Sequence, residues 1–265
     1  MLRSARLSPI LFASLALAAC GSPQNSPEND QAATPIIRPA ESGEASLPTV
    51  DRPLERRDLL LAVAEAGSNH ALGLDDKAEQ QKLDGRTFTL RIRLCGDAAN
   101  LAQSFDEARR VLKVEVKPDL AMDSAIVRQV SPQAVAVEGF WIPHPYFLQP
   151  GCPRAAAQAP AEGQPPAPPV RQMVGIAQLF GPEDRRADQR GSRPYSITEE
   201  LAEGEAPEAI DLILQGRLER AGSGKAITCV DSPAGDQPAC LISARFDRVR
   251  METLSGRSLG EWSRS

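Results

Sequence analysis

Thr87-Phe88-Thr89-Leu90-Arg91-Ile92-Arg93-Leu94-Cys95 is the stretch that decides the fold. Phe88, Leu90, Ile92 and Leu94 alternate with Thr89, Arg91 and Arg93, which predicts a strand with one buried and one wet face. The period of two returns over residues 111–117, where Leu112, Val114 and Val116 alternate with Lys113, Glu115 and Lys117. Working outward, strands are expected over residues 172–180, 211–220, 225–230, 240–246 and 249–253, with residues 260–262 closing the chain. Ala221-Gly222-Ser223-Gly224 predicts a hairpin turn between two of them. Phe246 and Val249 are out of phase, so a bulge or bend is expected near Asp247-Arg248.

Before these strands the period is helical. Residues 53–66 predict a helix with Asp51 as its cap, Pro53 in its first turn and Gly67 as its stop. A polar helical piece follows over residues 75–82, ending at Asp84-Gly85. The expected class is α+β: a mostly antiparallel sheet or sandwich with an N-terminal helical flank.

The first residues belong to another kind of segment. Arg3 and Arg6 precede residues 7–19, an almost wholly apolar run of the length of a secretory h-region. It is too short to span a bilayer, which takes about 20 apolar residues. The run ends in Leu17-Ala18-Ala19-Cys20, which resembles the lipobox of bacterial prolipoproteins. The resemblance implies a diacylglycerol on the Cys20 thiol, cleavage after Ala19 and acylation of the new amino group. Two or three palmitate-like chains then hold the protein on a membrane, where one chain would bind only marginally. An Asp after the Cys marks inner-membrane retention in that family; Gly21 stands here, which implies the outer membrane, facing the periplasm.

Residues 20–53 read as the lipidated Cys and a tether, since residues 21–53 hold six prolines and only scattered apolar side chains. Such a tether reaches roughly 30 Å root-mean-square. A second break lies over residues 153–170, with six prolines in eighteen residues, a Pro-rich linker or exposed loop. It divides the β-rich part into residues 54–152 and 171–265, as two subdomains or as one sandwich with a long crossover. The acidic stretch 183–208 reads as a further solvated loop.

Cleavage after Ala19 leaves 28 basic against 35 acidic residues, a net charge of −7. That balance has no footprint for nucleic acid, and no polybasic run would hold the chain flat on anionic lipid. Cys95, Cys152, Cys229 and Cys240 follow the anchor, an even count that reads as two disulfides in an oxidising compartment. Three pairings exist; Cys229–Cys240, which brackets a turn-rich loop, and Cys95–Cys152 are favoured. With no C-x-x-C pair, and His70 and His144 at no ligand spacing, no metal site is read, and no cofactor motif is present.

Catalytic constellations are missing as well: no G-x-S-x-G, no H-E-x-x-H. Gly222-Ser223-Gly224-Lys225-Ala226 lacks both the first glycine and the magnesium-binding hydroxyl of a phosphate loop. Asp75-Asp76 and Glu199-Glu200 read as solvated faces. What stands out is Phe140-Trp141-Ile142-Pro143-His144-Pro145-Tyr146-Phe147, which holds four of the ten aromatic residues left after cleavage. The favoured reading is a plug of rings closing one end of the sheet core. The functional one is a surface of Phe140, Trp141, His144, Tyr146 and Phe147 that stacks on a glycan, a peptide or an envelope protein. The expected role is a non-catalytic binding or assembly module at the cell envelope, with a carboxylate-based envelope hydrolase and a ligand-free accessory lipoprotein as alternatives.

Overall fold

The computed structural model describes residues 51–95, 98–153, 173–190, 193–232 and 237–264. The leader, Cys20, the tether to residue 50 and the Pro-rich stretch 154–172 lie outside the described residues. The chain opens with β1 (Leu54–Glu55), α1 (Arg56–Leu72), α2 (Lys77–Leu83), β2 (Thr87–Leu94), β3 (Leu101–Asp106) and β4 (Val111–Val116). It continues with α3 (Ala125–Val130), β5 (Ala136–Trp141), β6 (Val174–Phe180) and β7 (Tyr195–Glu200). It closes with β8 (Ile210–Leu218), β9 (Ile227–Val230), β10 (Ala239–Thr253) and β11 (Ser258–Ser263). The class is α+β, mostly antiparallel sheet with an N-terminal helical flank.

The main sheet runs β1-β2-β8-β10-β6-β5. Strands from both sides of the Pro-rich stretch pair within it, β2 with β8 and β5 with β6. Its spine is β10, whose residues from Cys240 to Ala244 are all buried, because apolar layers cover both faces there. Further along, Asp247 and Arg248 are exposed in succession and the pairing with β8 shifts register between Phe246 and Arg248. This is the bulge that the phase change predicts. It lets Ala244, Phe246, Val249 and Met251 share one core although their sequence parity switches.

A second sheet, β3-β4-β7, packs with α1 over one face of the main sheet. Leu112, Val114 and Val116 of β4 join Phe88, Leu90 and Ile92 of β2 and Leu59, Leu60 and Val63 of α1 in the larger core. The opposite face, around Leu241, Ala177 and Val137, is closed by Leu120 and by Ile126, Val127 and Val130 of α3. On the outer face of β2, β8 and β10 the charged side chains are paired, with the carboxylates of Asp211 and Glu252 buried. Asp211 accepts from Arg91 at 2.9 Å and Arg93 at 2.5 Å, and Glu252 from Arg91 at 3.0 Å.

Several expected boundaries move. The first helix starts at Arg56, capped by Glu55, with Asp58 accepting from the Glu55 N–H at 3.0 Å, and Asp51 instead pairs with Arg86. It runs through Gly67 and stops at Gly73, whose φ of 65° suits only a residue without Cβ strain. Gly67 faces Pro238 and the Cys240 sulfur, so its small size serves packing. The Ala221–Gly224 turn forms, but β8 and β9 do not pair with each other. Both lie along one edge of β10, at Ala244–Thr253 and Ala239–Ile242, so residues 219–226 are an excursion within one interrupted strand line and not a hairpin. The stretch 183–208 is not all solvated loop: Tyr195, Ile197 and Glu199 place β7 against β4. Asp76 is buried and not on a solvated face, bonded by Gln80 at 3.2 Å and paired with Lys225 at 2.5 Å.

Both disulfides link the pairs favoured from sequence. Cys229 and Cys240 are direct cross-strand partners, and Cys95–Cys152 ties the end of β2 to the chain beyond the aromatic loop.

Candidate functional site

The aromatic segment divides at the end of β5. Phe140 is fully buried against Tyr195 and Phe246, and Ile142 enters the same core. Trp141 points to the other face and packs, half-buried, against the smaller cluster. Its backbone N–H donates to Asp119 at 3.0 Å, and burial pushes the Asp119 carboxyl up to about 6. Beyond Pro143 the chain turns out: His144 takes a left-handed φ of 49°, and Tyr146 is 68% exposed. The Tyr146 hydroxyl lies 3.1 Å from His144 Nδ1, and its ring meets Phe147 edge-on at 4.7 Å.

Arg56 holds this loop, and sequence reasoning missed it. Only 5% exposed, its guanidinium donates to the carbonyls of Phe147 (3.0 Å), Pro143 (2.9 Å) and His144 (3.2 Å), and at 3.5 Å to that of Arg91. Burial pulls its pKa below the ordinary arginine value, and no carboxylate partners it among the described residues. A fork of five donors is what allows one side chain to satisfy several carbonyls at once. The missed signal is periodic: Arg56, Leu60 and Val63 lie on one helical stripe, so a cation occupies a core position.

Beside the loop runs an open groove of about 500 Å³. One wall is α1, with Leu60, Val63, Ala64, Gly67 and Ala71; the other is Pro145, Tyr146, Met173 and Val174, with Pro238 at the end. Its lining is mostly apolar, with Ser68, Gln237 and the Tyr146 hydroxyl as its polar side-chain groups.

A polar cleft of about 450 Å³ lies elsewhere, where β7, β11 and β10 meet Asp188, Arg190 and Arg193. Below it Glu138, wholly buried, accepts from the Tyr195 hydroxyl and from Arg264, which also donates to Gln178. Burial, then the Glu138 charge, raise the Tyr195 phenol above its ordinary pKa. His70 sits in the last turn of α1 with Nε2 at 3.0 Å from Asp231. Among the described residues, no three His, Cys, Asp or Glu side chains gather as metal ligands do. No helix among them is long and apolar enough to cross a membrane.

Searches of protein families, of characterised proteins and of solved structures find no match to this chain.

Proposed function

We propose that this chain is a lipid-anchored protein of the bacterial cell envelope. Its folded part is a non-catalytic binding module that takes an extended apolar segment of a protein partner into the groove beside Tyr146. The anchor rests on Leu17-Ala18-Ala19-Cys20 and the charged, then apolar, run before it. Gly21 after the Cys favours the periplasmic face of the outer membrane.

The observation that carries the binding reading is the clamp of Arg56 on the loop that presents Tyr146. An exposed aromatic side chain on a preordered loop loses little entropy when a partner covers it. The groove favours apolar side chains over a glycan, because sugar hydroxyls buried against this lining would lack hydrogen-bond partners.

Two measurements test the two halves. Cys20→Ser should abolish fatty-acid labelling and detergent partitioning; retention of either contradicts the anchor. Soluble protein from residue 21 onward should bind extended peptides of alternating apolar residues in preference to charged ones, and Ala64→Glu should abolish that binding. Equal binding by Ala64→Glu protein contradicts the groove.

One observation favours the carboxylate-hydrolase alternative. Glu219 lies in a cleft of about 350 Å³ with Asp184 and Asp188, and burial, then the charges of Asp184, Asp247 and Asp84, raise its pKa against the pull of Arg245. Hydrolysis of an envelope polymer that is lost in Glu219→Gln would establish that reading.

A further inference from the structure

The polar cleft between β7 and β11 carries an excess of positive charge in a chain whose net charge is −5. Its acids are already matched: Glu261 lies 3.3 Å from Arg248, and Asp188 lies 3.0 Å from Arg185. Arg264, also on the wall, is neutralised by the buried Glu138. Arg190 and Arg193 are left without a carboxylate among the described residues. Arg190 stacks over Tyr195, its guanidinium carbon 4.0 Å from the ring centroid and 5.9 Å from that of Trp262. One of its terminal nitrogens donates to the Pro194 carbonyl at 2.7 Å, and its Nε is buried without a partner. Arg193 donates, among the described residues, to backbone: to the Arg190 carbonyl at 3.0 Å and that of Gln189 at 3.3 Å.

We infer that this cleft is a binding site for a small oxyanion, a carboxylate or phosphate group, held between Arg190 and Arg193. Guanidinium groups recognise such groups with paired, charge-assisted hydrogen bonds. Both guanidiniums line one cleft, and an anion bound there offsets the repulsion of like charges within it. The rings of Tyr195 and Trp262 keep Arg190 in one orientation, and Glu138 holds the Tyr195 hydroxyl and Arg264 in place behind it. This site is separate from the groove beside Tyr146 and does not depend on it.

Trp262 lines the cleft and reports on it, since the protein's other tryptophan, Trp141, lies elsewhere. Trp141→Phe protein is titrated at constant ionic strength with inorganic phosphate and, separately, with acetate, chloride serving as the balancing salt. The inference predicts a saturable change in Trp262 fluorescence with at least one probe, half-complete below about 10 mM, an affinity of roughly −3 kcal/mol or better. Whichever probe binds more tightly identifies the group as phosphate or carboxylate. Arg190→Gln and the exposed Arg193→Gln should each weaken binding at least fivefold, while Arg109→Gln, a distant surface change, should not. No saturable change with either probe overturns the inference, as does unaltered binding by Arg193→Gln in a protein that melts like the parent.

Discussion

The guanidinium of Arg56, at the start of α1, donates to the carbonyl oxygen of Phe147 at 3.0 Å across 91 residues of sequence. One end of this contact is core and the other end is surface, so it fixes the exposed loop to the inside of the fold. Arg56→Lys keeps the charge but offers a single ammonium in place of the fork. It should cost about 2–4 kcal/mol, the range for an uncompensated buried polar network. In a domain of this size that lowers the melting temperature by roughly 4–16 °C. Hydrogen exchange at residues 143–147 should rise in the variant at a temperature where both proteins are folded. Unchanged exchange there contradicts the clamp.

Gly216 and Gly67 make opposite predictions. A Cβ on Gly216, which pairs with Phe246 beside the bulge, would lie 1.9 Å from the Arg245 carbonyl oxygen. Backbone cannot yield that far, so Gly216→Ala should destabilise by about 3 kcal/mol or more. At Gly67 the nearest atoms, in Pro238 and Cys240, would be 3.5 and 3.6 Å away. Gly67→Ala then meets ordinary contact and gains helix propensity, up to about 1 kcal/mol of stability. Denaturant midpoints measure both, and equal effects would contradict the packing described.

Asp119 gives a pH dependence. Burial raises its folded-state pKa to about 6, above the unfolded value of 3.8, so the native state binds the extra proton between them. Stability from this group is present in full below about pH 4 and is lost as the pH rises through 6. Asp119→Asn keeps an acceptor for the Trp141 N–H and removes the titration. At pH 7 the variant should exceed the parent by roughly 1–3 kcal/mol, and the gap should close by pH 4. Parallel stability curves over that range would contradict the burial of this carboxyl.

The aromatic segment should show a gradient along its length. Phe140→Ala empties the core and should cost about 3–5 kcal/mol, a fall of roughly 6–20 °C. Trp141→Ala, half-buried, should fall by less, and Tyr146→Ala should melt within about 2 °C of the parent. A fall for Tyr146→Ala as large as that for Phe140→Ala would return this residue to the core.

The strands with clean alternation were legible because their side-chain pattern states which face is buried, as in residues 87–94. The bulge was legible too, since Phe246 and Val249 could share a face only if a residue were inserted. β3 was not: Leu101-Ala102-Gln103-Ser104-Phe105-Asp106 is an edge strand, largely exposed, whose inward Leu101 and Phe105 are interrupted by Gln103. β7 was hidden in an acidic stretch because only Tyr195 and Ile197 bring apolar side chains to its inward face, where Glu199 follows them. The excursion between β8 and β9 looked like a hairpin because turn chemistry is local, whereas which strand lies alongside is decided by the long β10. Arg56 and Arg190 escaped notice for a related reason. A buried or stacked arginine is defined by carbonyls and rings brought from distant parts of the chain.

The central claim is that the groove between α1 and Tyr146 receives a partner's apolar segment. The most direct measurement replaces Tyr146 by p-benzoylphenylalanine in the full-length protein and irradiates living cells. The account predicts a discrete crosslinked adduct that disappears when Ala64→Glu is added, and none when the photoreactive residue is placed instead at exposed Thr198 on the second sheet. An absent adduct from position 146, or one that persists with Ala64→Glu, would contradict it.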